Sequence, residues 1–423
     1  MGKAQAFPIF FSTGPMPRSN LLPPASPATF LARFREELEE TLRHLDRPAA
    51  LELLVDLGDL LARQRGGLQN LEKSRREMLQ RAAQAPTYAE LQEIEHALTA
   101  LETAQFVASG SVPGLNRACT EFRDCLAERT MALVEAELTG EHGPPPLPFA
   151  LISMGSDGRA EQTLITDQDY LIVYADGGGA GADEYFRIFS DMLVERLAEV
   201  GFAKCTGGIM PSNPTWRGSL QQWKRRLLAI VRYEYEEYAK NLMDLIVLSD
   251  ARFVAGDAAI ATQLIEMIRD FEQSYFQVVW GMARQATEMK VGLTLLGQLW
   301  TDRAGEHRGL CNIKLLGWAP LVMNIRILAV HTGLTATNTL QRIEQLECDK
   351  RLGAANAAEL REAFHVLTGL RIRLQIRQLR GEQADSYFLD PAMLTADQLE
   401  NLRRALASIK DLQKVTRANF PTG

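Results

Sequence analysis

From residue 28 to residue 140, apolar side chains return at three- and four-residue steps, the period of an amphipathic helix. Phe30, Leu31, Phe34, Leu38, Leu42 and Leu45 form the first stripe. Pro48 interrupts it, and Leu51, Leu54, Val55, Leu57, Leu60 and Leu61 form a second over Leu51–Arg65. The same period predicts helices at 68–84, at 87–108 after Ala85-Pro86, and at Leu115–Leu138 after the break Ser109–Pro113. Gly140–Pro148 then holds three consecutive prolines, which forbid a helix and favour an extended linker. Beyond it the period is lost. Phe149–Met154 and Leu171–Tyr174 are short continuous apolar runs, as is the middle of Asn241–Val254. Such runs predict buried strands, here at 149–154, 169–175 and 242–249. Between them, a glycine-rich connector at Ala175–Ala182 precedes an amphipathic helix at Asp183–Val200. The helical period resumes with Ile260, Leu264, Met267, Ile268 and Phe271, and helices are expected at Lys290–Leu299, Ile313–His331, Ala357–Leu379 and Thr395–Arg417.

These elements predict an α+β, mostly helical chain with a small mixed sheet between N- and C-terminal helical regions. The expected divisions are a flexible lead at 1–27, a helical region at 28–144, a sheet domain at 145–258 and a helical region at 259–423. A chain of 423 residues is long enough for such a division. The net charge of −7 argues against broad nucleic-acid binding. No apolar run reaches the roughly 18 residues that a membrane span needs. Five cysteines, at 119, 125, 205, 311 and 348, form no CxxC pair, which suggests reduced thiols in a cytoplasm and no zinc site.

The chemistry concentrates where the first strand breaks. Gly155-Ser156-Asp157-Gly158-Arg159 follows the apolar run, and Asp167-Gln168-Asp169 opens the next strand. Residues two apart on a strand face the same way, so Asp167 and Asp169 converge. A divalent cation resolves the repulsion of two such carboxylates, and Mg²⁺ favours carboxylates together with phosphate oxygens. A turn containing Gly155 lets backbone N–H groups approach a polyphosphate, while Ser156 and Arg159 supply a hydroxyl and a cation.

The string GSDGRAEQTLITDQD resembles the polymerase-beta-like nucleotidyltransferases, and within them the family often fused to CBS or cyclic-nucleotide-binding domains. These are relatives of the PII-protein uridylyltransferases. Gly207, Gly208, Met210, Asn213, Trp216, Arg217 and Trp223 follow the same family's second stretch. Asn213 and Arg217 are therefore candidates for contacts to base or phosphate, and Trp216 for a wall of the base pocket. The resemblance also implies a third carboxylate on a neighbouring strand, Asp244 or alternatively Asp250. It further implies a helical C-terminal domain in which Lys314 and Arg326 reach the triphosphate. Asn312 stands there where the family usually has Asp. The function so implied is transfer of NMP from an NTP, with Mg²⁺ or Mn²⁺, to an acceptor such as a protein, with pyrophosphate release. The alternative is a nucleotide-sensing module with little transfer. Lys314 is expected to face the phosphates across a cleft between 145–258 and 285–380, and the N-terminal helices to regulate or form a homodimer.

Overall fold

A computed structural model of the chain describes residues 27–231, 238–294 and 296–420. The expected flexible lead lies outside them except for Pro27, which opens α1 (Pro27–His44). Three long helices follow: α2 (Arg47–Gln84), α3 (Tyr88–Ser109) and α4 (Val112–His142). Pro48 does not end a helix. It sits in the first turn of α2, where its missing N–H costs nothing, and the Asp46 carboxylate caps that turn through the Ala49 N–H at 2.9 Å. The stripes on either side of residue 66 therefore belong to one helix. Thr87 and Ser111 cap α3 and α4 in the same way.

The sheet begins with β1 (Phe149–Ser153), then the one-turn α5 (Gly155–Gly158), β2 (Tyr170–Tyr174) and α6 (Gly179–Val200), which starts inside the glycine-rich connector. Next come β3 (Arg217–Ser219), α7 (Leu220–Val231), α8 (Tyr238–Leu248) and β4 (Arg252–Gly256). Strand order is β3-β2-β1-β4. The β1 strand runs antiparallel to both β2 and β4, and β3 runs parallel to β2. Every residue of β1 and β2 is buried, which is why both lack the alternation of a half-exposed strand.

The strand expected at 242–249 is the helix α8, and the strand beside β1 is β4, just after it. Leu242, Leu245, Ile246 and Leu248 are buried while Met243 is exposed, a helical rhythm that a short apolar run conceals.

Helices α9 (Ala258–Ser274) and α10 (Phe276–Glu288) lead into the C-terminal region. Among the described residues of Lys290–Leu299 no helix forms. Leu293 and Leu299 pair instead as an antiparallel bridge, turned by Gly297 at φ +73°. A short ladder joins β5 (Cys311–Asn312) to β6 (Phe388–Leu389). A π-helical turn, Lys314–Trp318, runs into α11 (Ala319–His331), followed by α12 (Thr339–Cys348), α13 (Ala354–Leu379) and α14 (Ala396–Asn419). Thr395 and Gln398 form a capping box on α14. Among the described residues no helix is long and apolar enough to cross a membrane.

Candidate active site

At the end of β1 the backbone N–H of Met154 donates to the Asp169 carbonyl at 2.8 Å, which ties the turn to the start of β2. Gly155 follows at φ +59°, a left-handed conformation that side chains disfavour. A β-carbon on it would lie 2.4 Å from Oδ2 of Asp169, so contact with the carboxylate also demands glycine. The turn closes through the N–H of Gly158 to the Met154 carbonyl at 2.9 Å and that of Glu161 to the Ser156 carbonyl at 2.8 Å. Gly155 and Ser156 are thus held against the Asp169 edge.

Asp167 forms a parallel bridge with Ala203. The intervening Gln168 turns away and buries its amide, which donates to the carbonyls of Val194 at 3.1 Å and Phe202 at 3.0 Å. That anchor leaves Asp167 and Asp169 on the other face. The parallel register that sets 167 beside 203 brings 205 to the level of 169. Asp167, Asp169 and Cys205 each offer a ligating atom within 4.8 Å of the others. Desolvation, then the neighbouring Asp167, raise the Asp169 carboxyl to about 7, against a hydrogen bond with Cys205. Burial, then Asp169, push the Cys205 thiol up to about 12. Two crowded carboxylates, one of them kept from ionising, fit a divalent cation.

Neither candidate for a third carboxylate belongs to that group. Asp244 lies on α8, half-buried, and not on a strand beside β2. The strand on the side of β2 away from β1 offers Arg217, Gly218 and Ser219, with no acid. Asp250 is fully buried, and four donors saturate its two oxygens. Oδ2 accepts from Arg159 Nη1 at 2.5 Å and from Arg326 Nη2. Oδ1 accepts from Arg326 Nε at 3.1 Å and Arg342 Nη1 at 2.9 Å. Burial alone would raise its carboxyl, but Arg326, Arg159 and Arg342 outweigh that and hold it down at about 2. No lone pair is left to a metal.

The same geometry corrects the expected roles of Arg159 and Arg326. Arg159 is 2% exposed and spends its guanidinium on Asp250 and, at 2.8 Å through Nε, on Glu161. It joins the site turn to the segment between α8 and β4 and does not present itself to a phosphate. Arg326 is likewise bound to Asp250. Asn213 caps the turn before β3, accepting from the Thr215 N–H at 3.1 Å and donating to the Gly208 carbonyl at 3.1 Å. Arg217 donates to the carbonyls of Pro211 at 2.9 Å and Ser212 at 2.7 Å. Both shape the loop that carries Cys205. Trp216 and Trp223 are core residues, the latter donating to the Ile172 carbonyl at 3.3 Å.

Two helical regions clamp the loop between the turn and Asp167. On one side Asn116 donates to the Gln162 carbonyl at 2.7 Å, and Arg123 to those of Thr163 at 2.5 Å and Leu164 at 2.8 Å. On the other, Asn338 donates to the Arg159 carbonyl at 3.0 Å and Gln375 to that of Ile165 at 2.9 Å. Lys314 sets its Nζ 4.1 Å from the centre of the Tyr387 ring. The sequence carried no local signal for Cys205, which reaches the site only through tertiary contacts.

Comparison with known proteins bears on what this arrangement does. A family model described as "Putative nucleotidyltransferase DUF294" matches residues 96–237, and one described as "Putative nucleotidyltransferase substrate binding domain" matches residues 276–420. Similar curated proteins include the bifunctional glutamine synthetase adenylyltransferase/adenylyl-removing enzymes of Mycobacterium tuberculosis and Mycobacterium bovis, each 26% identical over 262 residues, 61% of this chain. That of Streptomyces coelicolor is 26% identical over 267 residues, 60% of this chain. The match spans only 24% of the mycobacterial proteins' length and 26% of the Streptomyces protein's.

Proposed function

Because the chain belongs to this family and is a nucleotidyltransferase, we propose that it moves NMP from an NTP to a protein acceptor at the site where Asp167 and Asp169 meet the Gly155-Ser156 turn. The observation that carries the reading is the seat of that turn. Its left-handed glycine has no room for a β-carbon, which would stand 2.4 Å from Asp169. A glycine turn set against a carboxylate pair lets backbone N–H groups approach a phosphate beside the cation that the pair would hold. Mg²⁺ or Mn²⁺ held by Asp167 and Asp169 would neutralise the pair and polarise the α-phosphate.

The chain's own groups position the reaction. Ser156 and the backbone of its turn hold the phosphate chain. The Gln168 anchor and the Asp167–Ala203 bridge keep the two carboxylates on one face. The acceptor hydroxyl oxygen bonds to the α-phosphorus and loses its proton. The bond from that phosphorus to the bridging oxygen breaks, and pyrophosphate leaves. The relatives' name, with glutamine synthetase as the protein adenylylated, supports a protein acceptor and ATP as a donor to test beside UTP.

The test is incubation of the chain with each α-labelled NTP, Mg²⁺ and a cell lysate. Label on a protein, with stoichiometric pyrophosphate, is the expected result. Failure to label any acceptor with any NTP would overturn the transfer reading. A second reading is favoured by Cys205, which completes the described group where a third carboxylate was expected. In that reading the site binds the nucleotide as a signal and transfers it slowly. Nucleotide binding without pyrophosphate release would select it.

A further inference from the structure

The buried arginines around the site fall into two kinds. Arg159, Arg326 and Arg342 each bond a carboxylate directly. Arg252 does the same with Asp124 and Asp157, both at 2.8 Å. Arg371 and Arg373 on α13 do not. Arg371 is 7% exposed and Arg373 8%, the Nε of each has no hydrogen-bond partner, and no carboxylate pairs with either among the described residues. A buried cation without an anion is costly and needs a reason.

The position of Arg371 supplies one. Gln375, four residues on and so on the same helical face, donates to the carbonyl of Ile165, two residues before Asp167. Arg371 therefore lies on the side of α13 that meets the site loop. Its guanidinium stands 5.0 Å from the centre of the Trp318 ring, and Arg159 stands 5.2 Å from the same ring. Trp318 ends the turn that Lys314 begins. Lys314 in turn lies over the Tyr387 ring, and the Asp167 carboxylate is among the charges acting on Arg371. Arg373 points elsewhere, over Phe106 of α3 at 5.5 Å.

We propose that Arg371 is the residue that grips the phosphate chain of the nucleotide at the Asp167–Asp169 site. It takes the role that the turn's own Arg159, locked to Asp250 and Glu161, cannot take. A planar guanidinium with free donors matches two phosphate oxygens at once. The inference rests on the nucleotidyltransferase reading, and binding separates the two. It also explains how helices far along the chain complete a site whose acids lie in the sheet domain.

The experiment is calorimetric titration of the full chain, in Mg²⁺, with inorganic triphosphate and with the α,β-methylene analogue of ATP or UTP. The unaltered protein binds both. Arg371→Met weakens both by about 10- to 100-fold, the range for losing a charge-assisted pair. Arg373→Met, a control from the opposite face of α13, leaves both unchanged. Arg371→Lys keeps the buried charge and the fold but still loses affinity, since it lacks the fork; it decides the matter should Arg371→Met not fold. Equal binding by Arg371→Lys and the unaltered protein, or by Arg371→Met when folded, overturns the proposal while leaving NMP transfer standing. Failure of the unaltered protein to bind any triphosphate overturns both.

Discussion

Two charged clusters lie side by side in this molecule and follow opposite rules. Around Asp250 the charges are paired: one carboxylate takes four donors from three arginines, and Arg159 takes Glu161 as well. Around Asp167 and Asp169 the balance is left open. Two carboxylates and a thiol crowd together, the Asp169 carboxyl is raised to about 7, and Arg371 waits nearby without a carboxylate partner. The first cluster consumes its charge internally and joins elements, since Asp250 follows α8, Arg326 is on α11 and Arg342 is on α12. The second keeps charge of both signs in reserve. Charged residues alone do not distinguish structure from function; whether their partners are already present does.

Breaking the saturated cluster gives the largest effect. Asp250→Asn strips three buried arginines of their shared anion and costs about 3–5 kcal/mol of stability, read by denaturant unfolding. A loss below about 1 kcal/mol would contradict the structural role of the cluster. Gly155→Ala is the next largest. The left-handed backbone and the contact with Asp169 together cost about 2 kcal/mol, and the variant loses Mg²⁺-dependent nucleotide binding beyond what its stability explains. Unchanged binding would remove the turn from the site.

A third, smaller test sharpens the comparison from the edge of the first cluster. Glu272 is buried beside Arg342 and Asp250, and burial raises its carboxyl from 4.5 to about 8. Its Oε1 has no hydrogen-bond partner among the described residues. A carboxyl raised in the fold is protonated there at neutral pH, and its ionisation opposes folding. That cost is absent below about 4.5, grows as pH rises, and is complete above about 8. Glu272→Gln should therefore stabilise the protein by roughly 1–3 kcal/mol at pH 9 and hardly at all at pH 4, in melting curves at both pH values. A variant less stable than the parent at pH 9 would show that Glu272 is ionised and paired.

Much of the sheet was legible because β1 and β2 are unbroken apolar runs, and the acids stand out as DxD between them. The fold class follows from the same contrast of periods. The strand placed on 242–249 went astray because a run of that length suits a helix as well, and only burial on one side of α8 distinguishes them. The site was half legible. Asp167, Asp169, Gly155 and Ser156 are close in the chain and chemically marked. Arg159 looked like a phosphate ligand because its partner Asp250 is 91 positions away. Cys205 carried no local mark, since a parallel bridge brings it in. Asn213 and Arg217 occupied the expected motif, yet their bonds serve the loop that holds it.

The most direct test of the account compares transfer with stability in one variant. Asp167→Asn keeps the shape of the side chain and removes a charge from the open cluster while leaving the saturated cluster intact. Pyrophosphate release from the preferred NTP should fall by about 100-fold or more, while the melting temperature stays within a few degrees of the parent's. Undiminished release by a folded Asp167→Asn protein would place the chemistry elsewhere.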